Sequence, residues 1–175
     1  QKLIGATANL KPVRTAVAHP CDDASLSGAL EAVSQGLIFA TLVGPRAKIE
    51  AAAVECGRSL EGIEIIDVPH SHAAAARCVE LVRSGQADAI MKGKLHTDEL
   101  MSAVVDSELG LRTGRRMSHI FVLDVPHHPK PLMITDAAIN IYPDLDAKRD
   151  IMEQYEKSYL DKDIGSASPS SDFGF

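Results

Sequence analysis

Tryptophan is absent and aromatic residues make up only 4% of the 175 positions, so platforms on which bases or sugars could stack are not expected. Cysteine is scarce as well. Cys21, Cys56 and Cys78 are odd in number and scattered, a usage that fits reduced thiols in a cytoplasmic protein better than a disulfide framework. No apolar run approaches the roughly 20 residues of a membrane-spanning helix, and the first residues do not read as a signal peptide. Positive charge is in the minority, with 18 Lys and Arg against 24 Asp and Glu and a net charge of −6. That balance argues against nucleic acid or an acidic membrane as the main partner, while leaving room for a local basic pocket. What is present is an ordinary globular composition, 45% hydrophobic and 24% charged, in a chain long enough to bury a core. The first residue is Gln1 and not Met, from which a fragment, or a chain cut from something longer, is expected.

The apolar pattern alternates between two periods. Residues 13–19 predict a strand stopped by Pro20. A helix follows over about 22–34, with Leu26, Ala29, Leu30 and Val33 at helical spacing and Gly36 as its stop. A second strand, 37–43, closes at Gly44-Pro45, and the next helix runs through Ile49, Ala52, Ala53 and Cys56 to Gly57. A third strand, 63–68, ends at Pro69, and an alanine-rich helix over about 72–84 ends at Gly85. The fourth strand, 87–91, leads into the stretch from Met91 to Leu100. Strands alternating with helices over short connections predict a parallel sheet with helices on both faces. After Val105 the rhythm changes. Residues 118–125 and 131–136 read as antiparallel strands joined by a His/Pro/Lys turn, with a helix from about Asp144 carrying Leu145, Lys148, Ile151 and Met152. The polar stretch 165–171 is expected to be disordered. The expected organisation is a first α/β domain over 1–97, the start of a second with its hairpin over 98–151, and a divergent, partly disordered tail over 152–175.

The loop after the fourth strand holds the densest chemistry: Lys92-Gly93-Lys94-Leu95-His96 followed by Thr97, placed to cap a helix whose first turn carries Asp98 and Glu99. In an open α/β sheet, ligands bind at the loops leaving the strands' carboxyl ends. A helix amino terminus there offers unpaired N–H groups and a positive dipole end, which suit a phosphate. Lys92 and Lys94 add charge, and Gly93 lets the backbone come close to a ligand. A tight strand-to-helix turn with solvated lysines accounts for the same residues. His19, His70, His72 and His96 all fall at or just past predicted strand ends. Their spacings match no zinc signature, and helix capping and loop hydrogen bonding are the expected roles of His70 and His72. Cys21, just past the first strand, reads as a small buried residue.

From Met91 to Asp150 the chain resembles the phosphate acetyl/butyryltransferase family. The run Lys92-Gly-Lys-Leu-His-Thr-Asp-Glu-Leu is similar to that family's entry to its second domain. More specific is Gly110-Leu-Arg-Thr-Gly-Arg-Arg-Met-Ser-His-Ile-Phe-Val-Leu-Asp-Val-Pro, and Pro131-Leu-Met-Ile-Thr-Asp-Ala-Ala-Ile-Asn-Ile-Tyr-Pro-Asp-Leu continues the match. Upstream, Ala16-Val-Ala-His-Pro-Cys-Asp and Leu42-Val-Gly-Pro fit at lower specificity. The opening is similar to the segment that follows a hydratase-like module in two-part members.

The resemblance implies two α/β domains around a cleft, similar to isocitrate/isopropylmalate dehydrogenases. It implies acyl transfer between coenzyme A and inorganic phosphate, giving acyl phosphate, by direct attack with no covalent enzyme intermediate. CoA is then a substrate, and no cofactor or metal is implied. Lys92, Gly93, His96 and Thr97 are assigned to the phosphate side, and Arg112, Arg115, Arg116 and Ser118 to phosphate or the CoA phosphates. Asp136 and Asn140 are cleft candidates for which a turn role fits as well, and Asp124 is either a strand-end carboxylate or a partner of the arginine loop. The family's return segment, with a Ser-Arg pair and an aspartate proposed as the base for the thiol, has no match here, and after about Ile151 the sequence departs from the pattern. A catalytically inactive homologue that keeps only a phosphate or CoA surface is therefore the alternative expectation. A metal-dependent dehydrogenase on the similar fold would need clustered carboxylates that the sequence does not offer. A homo-oligomer is expected of the full-length family protein.

Overall fold

β-Branched residues at Val13, Thr15 and Val17 hold the chain extended over β1 (Val13–Ala18), and Pro20 stops it. In the computed structural model, residues 4, 5, 7, 9–123, 125, 126, 132–136, 139, 140 and 142–160 are described. Asp124, the turn at 127–131 and the polar stretch at 165–171 lie outside them. The described residues form two compact units, one of Asn9–Arg112 and one that takes in the chain from Thr113.

In the first unit α1 (Asp23–Ser34), β2 (Ile38–Gly44), α2 (Arg46–Glu55), β3 (Glu64–Asp67), α3 (Ser71–Arg83), β4 (Ala89–Lys92) and α4 (Thr97–Val104) follow β1. The strands form one parallel sheet in the order β3-β2-β1-β4. Side chains alternate across β1, so Val17 and Leu42 face the helices α1 and α2, while Ala16, Ala18 and Val43 face α3 and α4. Helices on both faces of a parallel sheet are what the sequence predicted.

The two cores differ in grain. Leu26, Ala29 and Leu30 of α1 meet Ile49, Ala52 and Ala53 of α2 in one. The other is built on the small residues Ala74, Ala75 and Cys78 of α3, which let that helix lie close to the sheet. Cys78 is fully buried, and burial pushes its thiol up to about 12. Leu95 and Leu100 bury against the same face, so α4 packs with the first unit, which runs on past residue 97 to Arg112.

The second unit pairs β5 (Ile120–Leu123) antiparallel with β6 (Leu132–Thr135), in register Ile120↔Thr135 through Leu123↔Leu132. The hairpin strands are therefore antiparallel, as read. A helix, α5 (Leu145–Leu160), follows. It extends well into the stretch expected to be a divergent tail from 152 on, where Glu153 and Gln154 face polar partners described below. No helix among the described residues is long and apolar enough to cross a membrane.

Candidate functional site

From β1 the chain steps outward through β2 to β3, then crosses back over β1 to lay down β4. The strand order therefore reverses between β1 and β4. The crevice outside the carboxyl ends of those two strands is where an open α/β sheet binds ligands. Two loops meet there, His19-Pro20-Cys21-Asp22 after β1 and Gly93-Lys94-Leu95-His96 after β4.

Backbone hydrogen bonds join them. The N–H of Gly93 donates to Ala18 O (2.8 Å), and that of Lys94 to His19 O (2.9 Å). The fit is close enough to require glycine at 93, where a Cβ would lie 2.5 Å from Ala18 O and 2.7 Å from His19 O. The glycine expected to let a ligand approach is thus needed for contact with β1. Lys94 Nζ lies 3.7 Å from Asp22 Oδ2. Asp22 also caps α1 by accepting from Ser25 N–H at 3.0 Å, and the Ser25 hydroxyl and N–H hold its carboxyl below the ordinary range. Lys92 and His96 are exposed, and the Lys92 ammonium reaches Gly93 O at 3.4 Å.

Thr97 is not the cap of α4. His96 holds the extended cap conformation (φ −67°, ψ 145°) and makes no side-chain cap hydrogen bond, while Thr97 is already the first helical residue. With Lys94 anchored and Leu95 buried just before it, His96 takes the cap position, and helical geometry begins one residue earlier than a Thr97 cap would place it. The other helices of this unit have acceptors at their amino ends: Asp22 for α1, the Asp67 carboxylate on Arg46 N–H for α2, and His70 Nδ1 on Ala73 N–H for α3. His70 therefore caps, as expected. In the first turn of α4, Glu99 turns inward, 4.0 Å from His72 Nδ1, with its Oε2 buried and without a hydrogen-bond partner. Burial raises the Cys21 thiol, leaving it protonated and a poor nucleophile.

Arg112 ends the first unit and is exposed. In the second unit the other sequence-assigned residues form a network of their own. Arg115 donates to Asp150 Oδ1 from Nε (2.8 Å) and Nη2 (2.5 Å), and to Glu153 Oε2 at 3.2 Å. Arg116 uses its backbone, donating to Asp150 Oδ2 and accepting from Gln154 Nε2. Ser118 Oγ donates to Gln154 Oε1 at 3.2 Å. The Arg115 guanidinium, followed by the Arg116 N–H, holds the Asp150 carboxyl low. Asp136, at φ 33°, accepts from the N–H groups of His119 (3.1 Å) and Asn140 (3.0 Å) and from the Asn140 amide. Burial works to raise its carboxyl, but those hydrogen bonds outweigh it and the net shift is downward. Asp136 and Asn140 thus bind each other and the chain at 117–119, where Met117 O accepts from Asn140 Nδ2 at 2.9 Å. Among the described residues no group of three or more His, Cys, Asp or Glu could hold a metal ion.

Residues missing from the sequence assignment are His19 and Asp22. Both stand in the run Ala16-Val-Ala-His-Pro-Cys-Asp, whose polar residues right after a buried strand were the available signal.

Residues 71–169 match the family profile described as Phosphate acetyl/butaryl transferase, which is more than half of the 175 residues. The chain is 58% identical over 152 residues to a protein named phosphate acetyltransferase in Rhizobium meliloti, covering 87% of this chain and 48% of that one. To phosphate butyryltransferase of Clostridium acetobutylicum it is 37% identical over 148 residues, covering 85% and 48%. The chain thus spans about half the length of the curated relatives it matches. Its fold is shared with a phosphotransacetylase from Streptococcus pyogenes, with a TM-score of 0.73 at 14% identity over 95% of this chain and 64% of that one. On the strength of the profile match, the chain belongs to the phosphate acetyl/butyryl transferase family.

Proposed function

We propose that this chain carries the phosphate-binding side of an acyltransferase that moves an acetyl or butyryl group between coenzyme A and inorganic phosphate. The observation that carries the reading is the amino end of α4. It opens at the β1/β4 switch point beside Lys92 and Lys94, and its cap residue His96 supplies no side-chain acceptor. Free N–H groups, a positive dipole end and two ammonium groups together favour a phosphate dianion. The inward turn of Glu99 takes one of the two first-turn carboxylates away from it.

In the forward direction a phosphate oxygen attacks the thioester carbonyl, the C–S bond breaks and CoA leaves as thiolate. Lys92, His96 and the α4 N–H groups hold the attacking phosphate in place, lowering the entropic cost of the encounter. Charge accumulating on the carbonyl oxygen needs a donor as well, and Arg112, at the end of the same unit, is an assigned cation that makes no ion pair to a carboxylate among the described residues. CoA enters as substrate, so the partners in this reading are acyl-CoA or CoA and phosphate, in a cytoplasmic enzyme. Two α/β domains of the isocitrate/isopropylmalate dehydrogenase kind, and a homo-oligomer for the full-length protein, belong to the same proposal.

A second reading is that this chain binds phosphate or CoA without turnover. It draws on Arg115, an assigned ligand residue whose guanidinium is already taken by Asp150 and Glu153. A thiol-release assay with acetyl-CoA and butyryl-CoA, with and without phosphate, separates the two. Phosphate-dependent release that Lys92→Ala reduces by about tenfold or more is the expected result. No release, with CoA still raising the unfolding temperature, favours binding alone. Neither release nor protection sinks both.

A further inference from the structure

Of the strand-end histidines that the proposed function leaves unused, His19, His70 and His72, His19 is the most constrained. It is 9% exposed and sits at φ 54°, a left-handed conformation uncommon for residues other than glycine. Its N–H closes the ladder to β2 by donating to Val43 O at 2.7 Å, and its carbonyl accepts from both Cys21 N–H and Lys94 N–H at 2.9 Å. The ring adds a further bond, with Nδ1 2.6 Å from Lys94 O. A carbonyl oxygen only accepts, so Nδ1 carries the proton and donates. Both backbone polar groups of Lys94 are therefore held by residue 19, one by its main chain and one by its ring. Two glycines clear the space: a Cβ on Gly93 would strike the residue 19 carbonyl, and one on Gly44 would come 3.3 Å from His19 Cα.

We propose that His19 is a positioning residue for the loop 92–96, its Nδ1–H fixing the Lys94 carbonyl and so the orientation of Lys92, His96 and the start of α4 toward the bound phosphate. This rests on the reading of that loop as the phosphate site. The clamp needs the tautomer with the proton on Nδ1, which the Lys94 carbonyl selects. The residue it needs is one with a donor two bonds from Cβ that tolerates positive φ. Asparagine meets both requirements through its Nδ2 and its tolerance of the left-handed region. Glutamine places its donor one atom too far, and glycine relieves the backbone but offers no donor.

The test is inorganic phosphate binding by calorimetry on the full chain and on His19→Asn and His19→Gly, with hydrogen exchange at the Lys94 amide followed in parallel. Expected is phosphate affinity within about threefold of the parent in His19→Asn and about tenfold lower in His19→Gly, the size of one lost hydrogen bond. Equal affinities in all three, or asparagine as weak as glycine, overturn the proposal. If the parent chain binds no phosphate, the reading of the loop falls while the clamp is judged by exchange. Faster exchange at Lys94 in His19→Gly but not in His19→Asn then keeps His19 as the fastener of the loop, and equal rates remove it.

Discussion

Residues 9–112 and the hairpin-and-helix region from Thr113 are held together by different means. In the first, Leu26, Leu42, Ile49, Val17 and Val43 are fully buried on the two faces of one sheet. In the second, the buried apolar side chains among the described residues are Ala147 and Ile151, while Phe121, Val122, Leu132 and Ile134 are all more than 40% exposed. What fixes the second region is polar: Arg115 on Asp150 and Glu153, Ser118 and Arg116 on Gln154, Asp136 on Asn140 and His119. The difference teaches where each part of the candidate chemistry gets its precision. A loop seated on two buried strand ends inherits the rigidity of a close-packed core. An arginine loop tied to a helix by partly exposed ion pairs and hydrogen bonds loses part of its hold when those pairs are discharged.

Equal truncations in the two regions should therefore cost unequal amounts. Leu42→Ala removes a fully buried side chain from the sheet face against α1 and α2, and the expected loss is roughly 2–5 kcal/mol. Leu132→Ala, at a residue 43% exposed on β6, is expected to cost about 1 kcal/mol or less. Urea unfolding followed by circular dichroism reads both. A Leu132 variant as damaged as the Leu42 variant would mean that the hairpin has a core of its own, and the contrast would be lost.

Gly93→Ala sharpens the contrast by probing backbone packing in place of side-chain burial. The added Cβ meets the main-chain oxygens of Ala18 and His19 at 2.5 and 2.7 Å, and strand-end backbone cannot swing aside as a side chain tip would. The expected cost is about 1–3 kcal/mol, together with weaker phosphate binding because the loop 92–96 must lift off β1. Unchanged stability and unchanged binding would show that the two strand ends separate freely.

These contacts mark the limit of what the sequence alone made legible. The alternation of strands and helices was readable because β-branched runs and 3.6-residue periodicity are local signals, and so was the antiparallel hairpin. Gly93 was singled out for close approach of a ligand, but its contact with β1 was not foreseen, since the atoms it must admit belong to residues 18 and 19, far away in the chain. The role of His19 was hidden for the same cause: its partner Lys94 is 75 residues on. Arg115 was read as a ligand residue because its partner, Asp150, lies 35 residues away, and Glu153 lies in the stretch read as departing from the family pattern, although the profile match runs on to residue 169. Local rules see caps, stops and periods; pairings set by topology appear only once the strands are ordered.

Acid should separate the two regions with the smallest of these effects. The Asp150 carboxyl is held low first by the Arg115 guanidinium, and Asp136, despite burial, is held low by its hydrogen bonds. A carboxyl depressed in the folded chain contributes stability that is complete above its unfolded value, near 4 for an aspartate. That contribution is lost as pH falls through the folded value. Asp22, Asp88 and Asp106 are depressed in the first region as well, but there they supplement apolar cores that protonation leaves intact. On lowering the pH from 7 toward 3, the amides of α5 are therefore expected to lose hydrogen-exchange protection before those of β1 and β2. Asp150→Asn should lower α5 protection already at pH 7 and flatten its pH dependence, because Arg115 then has only Glu153 beside it. Simultaneous loss of protection in α5 and β1 would mean that the second region draws its stability from burial after all, and the polar network would be its decoration and not its cause.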